Sequence, residues 1–166
     1  CIRDRVSTGD NPIEIGKNFD TISVCLSKGL GCPIGSVLIG DKNIMSNALR
    51  IRKILGGGMR QAGYLANAGL YALENNINRL ANDHKKASEI GEVLAKSKFV
   101  KSVEKIETNI VIFELNNEIN EVSFINKLNE LNIKLISMGS NKLRLVTHLN
   151  YNNDHHEYFI SAIKSL

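Results

Sequence analysis

The chain has 166 residues, enough for one ordinary domain, with 43% hydrophobic and 23% charged residues. Its 21 basic and 17 acidic side chains give a mild formal net charge of +4 at pH 7, scattered rather than gathered in a stripe, which argues against nucleic-acid binding. No apolar run approaches the ~20 residues of a membrane span, no charged-then-apolar leader is visible, and Cys1, Cys25 and Cys32 form neither an even disulfide set nor a zinc spacing, so a cytoplasmic, reducing setting without membrane or metal is expected.

Thr21 to Leu26 alternates like a strand and stops at a glycine-rich turn in which Lys28 stands between Ser27 and the pair Gly29 and Gly31. Such a turn puts the next side chain at the mouth of a sheet, where a ligand can reach it. A free lysine titrates near ~10.4, so a Schiff-base lysine needs a desolvated pocket with cationic neighbours. Ile22, Val24 and Leu26 are expected to supply that desolvation, and the glycines to let a flat cofactor approach the backbone. A solvated lysine at a strand end is the ordinary alternative. Gly29, Gly31 and Gly35 depart from a dinucleotide fingerprint by one position, and no Lys-Ser/Thr follows to make a phosphate loop. Cys25 and Cys32 have no nearby base and read as small buried filler.

Further along, Val37 to Ile39 reads as a second strand, with Pro33 interrupting the ladder between the two. Asp41 suits a helix N-cap, and Ile44, Ala48, Ile51 and Leu55 recur at helical spacing until Gly56, Gly57 and Gly58 end the helix. Lys53 and Arg60 flank those glycines; a helix-end cation is equally an ordinary partner of the helix dipole. Long helices are expected from Gln61 to about Leu80 and from Asp83 to Leu94. After Lys98, strands over Val100 to Ile106, Ile110 to Leu115, Lys134 to Ile136 and Leu143 to Thr147 alternate with helices over Val122 to Leu131 and His155 to Ile163, the pattern of a small α+β domain. Within it Lys142, Arg144 and Val146 share one strand face, and an arginine on a surface edge strand is the ordinary account of Arg144. His155 and His156 beside Glu157 point to different faces of a helix, so a solvated helix start is expected there rather than a metal site. Asn116 and Asn117, like Asn152 and Asn153, read as turn residues.

Three segments in order, SVCLSKGLGCPIGSVLIG, GGGMRQAG following RIRKIL, and KLRLVTHL, resemble the threonine aldolases from about Val6 to the end of the chain. These are pyridoxal-phosphate enzymes that split β-hydroxy-α-amino acids. The resemblance implies an α/β fold, the C-terminal part of an aspartate-aminotransferase-like (fold type I) subunit. Residues 1–96 would close the large cofactor-binding domain and residues 97–166 would form the small α+β domain. It implies that Lys28 is the catalytic Schiff-base lysine, that Lys53 and Arg60 help bind the cofactor, partly across a subunit interface, and that Arg144 binds the substrate α-carboxylate. A guanidinium suits that task because it offers two parallel charge-assisted hydrogen bonds. It further implies cleavage of threonine or allo-threonine to glycine and acetaldehyde, and a homo-oligomer, a tetramer in the complete form. The ring-stacking histidine, the pyridine-pairing aspartate and most of the phosphate cradle are expected upstream of Cys1. Asp4 and Arg5 fall a few positions too late to stand for the family's Asp-Gly-Ala-Arg segment. His148 is either a supporting group or a strand-end cap. Two alternatives stand beside this reading: a truncated, catalytically silent relative that keeps the fold and subunit contacts, and an unrelated basic α/β binding module.

Overall fold

The computed structural model describes residues 2–166, which form two compact units, a first that runs to Leu80 and a second, Ala81–Leu166. Among the described residues no helix is long and apolar enough to cross a membrane.

In the first unit two short helices, α1 (Ile2–Thr8) and α2 (Pro12–Gly16), occupy a stretch for which the sequence reading assigns no element. α2 starts in a readable way: Pro12 stands in its first turn and the Asn11 side chain accepts a 2.9 Å hydrogen bond from the Ile13 amide. β1 (Thr21–Cys25) and β2 (Ser36–Gly40) pair antiparallel from Thr21↔Gly40 to Cys25↔Ser36. α3 (Lys42–Ile54) begins after Asp41, whose side chain makes no capping hydrogen bond. α4 (Gly63–Asn75) ends well before Leu80, because two asparagines, poor helix formers, close it and the chain turns through residues 76–79. Leu26, Leu30, Cys32, Ala72 and Leu80 form a small core, with Ile2, Val6, Val24 and Ile77 against it.

The second unit is a four-stranded antiparallel sheet backed by helices. α5 (Leu80–Ala95) leads into β3 (Val100–Val103), β4 (Ile110–Leu115), α6 (Glu121–Glu130), β5 (Ile136–Gly139), β6 (Lys142–Val146) and α7 (Asn153–Lys164), with sheet order β3-β4-β6-β5. One sheet face carries Val111, Phe113, Leu115 and Leu143 into the core. Against it stand Ala87, Ile90 and Leu94 of α5, Phe124 and Leu128 of α6, and Phe159, Ala162 and Ile163 of α7. These are the apolar stripes that the sequence pattern places on one side of each helix. By packing, α5 therefore counts with the second unit, whereas the expected boundary at 96/97 groups it with the first. β5 lies two residues later than its expected span and joins β6 through Ser140 and Asn141, both at positive φ (53° and 60°), a two-residue hairpin turn of the mirror-image type.

Candidate active site

The strand β1 releases its last ladder bond at Cys25, and the next residues fold into a tight loop. The Leu26 amide bonds the Gly35 carbonyl at 2.9 Å and the Gly31 amide bonds the Lys28 carbonyl at 2.8 Å, with Gly31 in the left-handed region at φ 77°. Leu26 and Leu30 plunge into the core on either side of Lys28, and this fixes the lysine on the outside of the loop. Two residues from the connection after α4 hold the loop from beneath: Asn76 donates from Nδ2 to the Leu30 carbonyl at 2.7 Å, and Arg79 donates from Nη2 to the Gly29 carbonyl at 2.9 Å. A Cβ on Gly29 would come within 3.1 Å of Leu80, and one on Gly69 within 3.1 Å of Leu26, so helix and loop meet where only glycine fits easily. Lys28 itself is exposed, and among the described residues its amine has no hydrogen-bond or ion-pair partner. The desolvation expected from Ile22, Val24 and Leu26 is not realised: Lys28 is exposed, while Leu26 and Val24 pack into the small core and Ile22 is half-buried. Cys32 is buried as expected, whereas Cys25 is exposed, on the outer parity of a two-stranded sheet with nothing over that face.

The triple glycine ends α3 in a Schellman arrangement. Gly56 takes φ 83° and donates to the Lys53 carbonyl at 3.2 Å, while Gly57 donates to the Arg52 carbonyl at 2.8 Å. A Cβ on Gly57 would meet Arg52 Cγ at 2.8 Å and its carbonyl oxygen at 3.1 Å. Lys53, in the last helical turn, and Arg60, beyond the glycines, are both exposed and carry no ion pair among the described residues. Gln61, next in line, holds φ 53°.

Arg144 belongs to the second unit. It is not on an edge: β6 lies between β4 and β5, and Arg144 is paired with Ile112 on one side and Ile136 on the other. Its Nε is shut off from solvent and has no acceptor among the described residues. The nearby carboxylates are already engaged, Glu104 with Lys142 at 2.8 Å and Glu114 with Lys101 at 2.7 Å. The Lys101 bond holds the Glu114 carboxyl below its usual range, and the Glu104 bond holds the Lys142 amine above its own. The guanidinium has isoleucines as its cross-strand neighbours and no counter-ion among the described residues.

Just past Arg144 comes a cluster that motif reading misses. Thr147 donates from Oγ1 to the Asp83 carbonyl at 2.6 Å, its amide bonds the Asn109 carbonyl at 3.0 Å, and Asn109 Nδ2 donates to the Thr147 carbonyl at 2.6 Å. The only sign of it in the sequence is a threonine where the alternation calls for an apolar residue. His156 is likewise not a solvated helix start. It is 13% exposed, bridging Glu89 Oε2 at 2.8 Å and the Tyr151 hydroxyl at 3.2 Å, because α7 begins at Asn153 and turns that side chain toward α5. His155 stays exposed, and His148 accepts at Nδ1 from the Asn150 amide at 3.2 Å, a strand-end cap. Among the described residues no group of histidine, cysteine and carboxylate side chains could hold a metal.

Comparison with known proteins gives consistent relatives. Residues 3–118 match the family model described as Beta-eliminating lyase. The chain is 37% identical over 151 residues to low-specificity L-threonine aldolase 1 of Arabidopsis thaliana, covering 89% of this chain and 42% of that protein. It is 40% identical over 141 residues to the low specificity L-threonine aldolase of Escherichia coli K12, covering 85% and 41%. The chain thus spans about two fifths of the length of these relatives. Among solved structures, a protein provisionally named an L-allo-threonine aldolase from Listeria monocytogenes superposes with a TM-score of 0.76 at 17% identity, over 99% of this chain and 49% of that one. A histidinol-phosphate aminotransferase from Clostridium acetobutylicum superposes with a TM-score of 0.64 at 18% identity, over 97% and 51%. The fold is the α/β fold that these enzymes share.

Proposed function

This chain belongs to the β-eliminating lyase family, and on that premise we propose that it is the Lys28-bearing portion of a pyridoxal-phosphate-dependent threonine aldolase, which cleaves threonine or allo-threonine to glycine and acetaldehyde. The single observation that carries the reading is the Lys28 loop: a free, exposed amine on a backbone pinned at two carbonyls by Asn76 and Arg79. The donor set fits the cofactor. A free amine suits its carbonyl carbon, exposed Lys53 and Arg60 suit its phosphate, and Arg144 is left for the substrate. Once bound, pyridoxal phosphate supplies an electron sink for the pair released when the Cα–Cβ bond breaks.

Each residue then has a defined task. Lys28 Nζ would hold the cofactor through its carbonyl carbon. Lys53 and Arg60 neutralise phosphate charge, with Lys53 held in place by the glycine-terminated helix end. Arg144 would grip the α-carboxylate with two parallel charge-assisted hydrogen bonds. The Nε end of the guanidinium is already shut off from water, which would strengthen that grip. The complete enzyme is read as a homo-oligomer, a tetramer, working on a small amino-acid substrate. Acetaldehyde release from threonine by the holoenzyme tests the proposal: Lys28→Ala is expected to abolish it, and a Lys28→Ala enzyme of undiminished rate would refute the assignment.

A further inference from the structure

Asp83, Asn109 and Thr147 are the buried polar residues among those described, and all three meet at one point, three residues past Arg144. Their position bears on a weakness in how β6 is held. Every pair between β4 and β6, from Ile110↔Val146 through Ile112↔Arg144 to Glu114↔Lys142, obeys one antiparallel register. Side chains alternate with a period of two, so a slip of two residues keeps every β6 side chain on its face, bringing either Asn141 to the Leu143 position or Thr147 to the Leu145 position. It would nevertheless carry Arg144 along the strand by roughly 7 Å, far beyond the reach of a carboxylate grip. The hairpin turn at Ser140 and Asn141 does not prevent this. It ties β5 to β6, and outside the ladder the hairpin is anchored by Glu121 of α6, which accepts from the Ser137 hydroxyl and from the Asn141 amide at 3.0 Å; these bonds are exposed or half-exposed and hold the register less firmly than a buried one. Backbone bonds are indifferent too, since the Asn109 side chain reads a carbonyl that any residue offers.

The Thr147 hydroxyl is different. It is 2% exposed and donates to the Asp83 carbonyl of α5 at 2.6 Å, and a slip of two would put Leu145 or Leu149 in its place, too large for the site and with no donor. We propose that Thr147 is a positioning residue: its hydroxyl bond to α5 locks the β4–β6 register and thereby fixes Arg144 between Ile112 and Ile136. The functional half of this rests on Arg144 binding the substrate carboxylate; the register half does not.

Paired cysteines on the half-exposed outer face of the full 166-residue chain read the register directly. Ile110→Cys with Val146→Cys forms a disulfide in the native register, Ile112→Cys with Val146→Cys in one slipped register, and Thr108→Cys with Val146→Cys in the other. Adding Thr147→Val, which keeps the shape and loses the donor, is expected to raise one slipped crosslink roughly tenfold at the expense of the native one, and Thr147→Ser to restore the native pattern. A Thr147→Val chain with only the native crosslink would overturn the proposal. If that variant does not fold, Thr147→Ala makes the same measurement, and failure of both to fold would assign the hydroxyl to stability instead of register and likewise overturn it. A slipped crosslink together with an Arg144→Lys holoenzyme of unchanged KM would leave the lock standing and remove the carboxylate role.

Discussion

Arg144 has a buried Nε and no carboxylate partner among the described residues, and it is the residue proposed to bind the substrate carboxylate. Lysine supplies one charge without the two-pronged geometry. Arg144→Lys is therefore expected to raise KM for threonine and lower kcat, with a combined loss in kcat/KM of about 2 to 5 kcal/mol, and steady-state kinetics of the holoenzyme measure it. Tyr151 offers a second test at this scale. Burial pushes its phenol from 10.0 up to about 12, while its hydroxyl meets His156 and Lys86 lies 5.5 Å over its ring. The unfolded chain gives up this proton near 10.0 and the folded chain only near 12, so its contribution to stability is complete below pH 10 and is lost as pH rises to about 12. Urea titrations at pH 9 and about pH 11 are expected to show a smaller pH dependence in Tyr151→Phe than in the parent.

Among the elements, the end of α3 is the most exacting. Gly56 sits at φ 83° with open space around it, so alanine there costs only the left-handed backbone, roughly 1 to 2 kcal/mol, whereas the cost of alanine at Gly57 is a collision, with Arg52 Cγ at 2.8 Å and its carbonyl oxygen at 3.1 Å. Both are expected to fray the turn that carries Lys53, Gly57→Ala more, as hydrogen exchange at residues 53–57 would report. This stop was legible from three consecutive glycines, as β4, α6 and α7 were legible from apolar periodicity. The elements that escaped had other causes. β5 exposes all four of its residues and so shows no alternation, and its place is set by the positive-φ turn that follows. α4 reads past its true end because Asn75 and Asn76 stop it while apolar residues continue beyond them. The site divides in the same way: motifs name Lys28, Lys53, Arg60 and Arg144, but Asn76, Arg79 and Thr147 act through backbone carbonyls, and no local pattern marks a residue that reaches across 46 to 64 positions to hold one.

Over the whole chain the two units differ in how well they cover themselves. Ala87, Ile90 and Leu94 of α5 sit in the second unit's core, and losing them removes roughly 1.5 to 3 kcal/mol each for Ile90 and Leu94 and about 0.8 kcal/mol for Ala87. Residues 81–166 are accordingly expected to unfold cooperatively and residues 97–166 not to, by circular dichroism on heating. In the first unit, β2 exposes Val37, Leu38 and Ile39 by 41%, 47% and 52%, apolar on both faces of a two-stranded sheet with open edges. A continuous apolar strand of this kind belongs inside a larger sheet, so the 166-residue chain by itself is expected to associate in sedimentation and to release no acetaldehyde from threonine with added pyridoxal phosphate. The role of Lys28 is central, and the most direct measurement is borohydride reduction of the holoenzyme followed by peptide mass mapping. The account predicts one reduced pyridoxyl group, on the peptide containing Lys28 and absent from Lys28→Ala; an adduct on any other lysine, or one that survives that substitution, would contradict it.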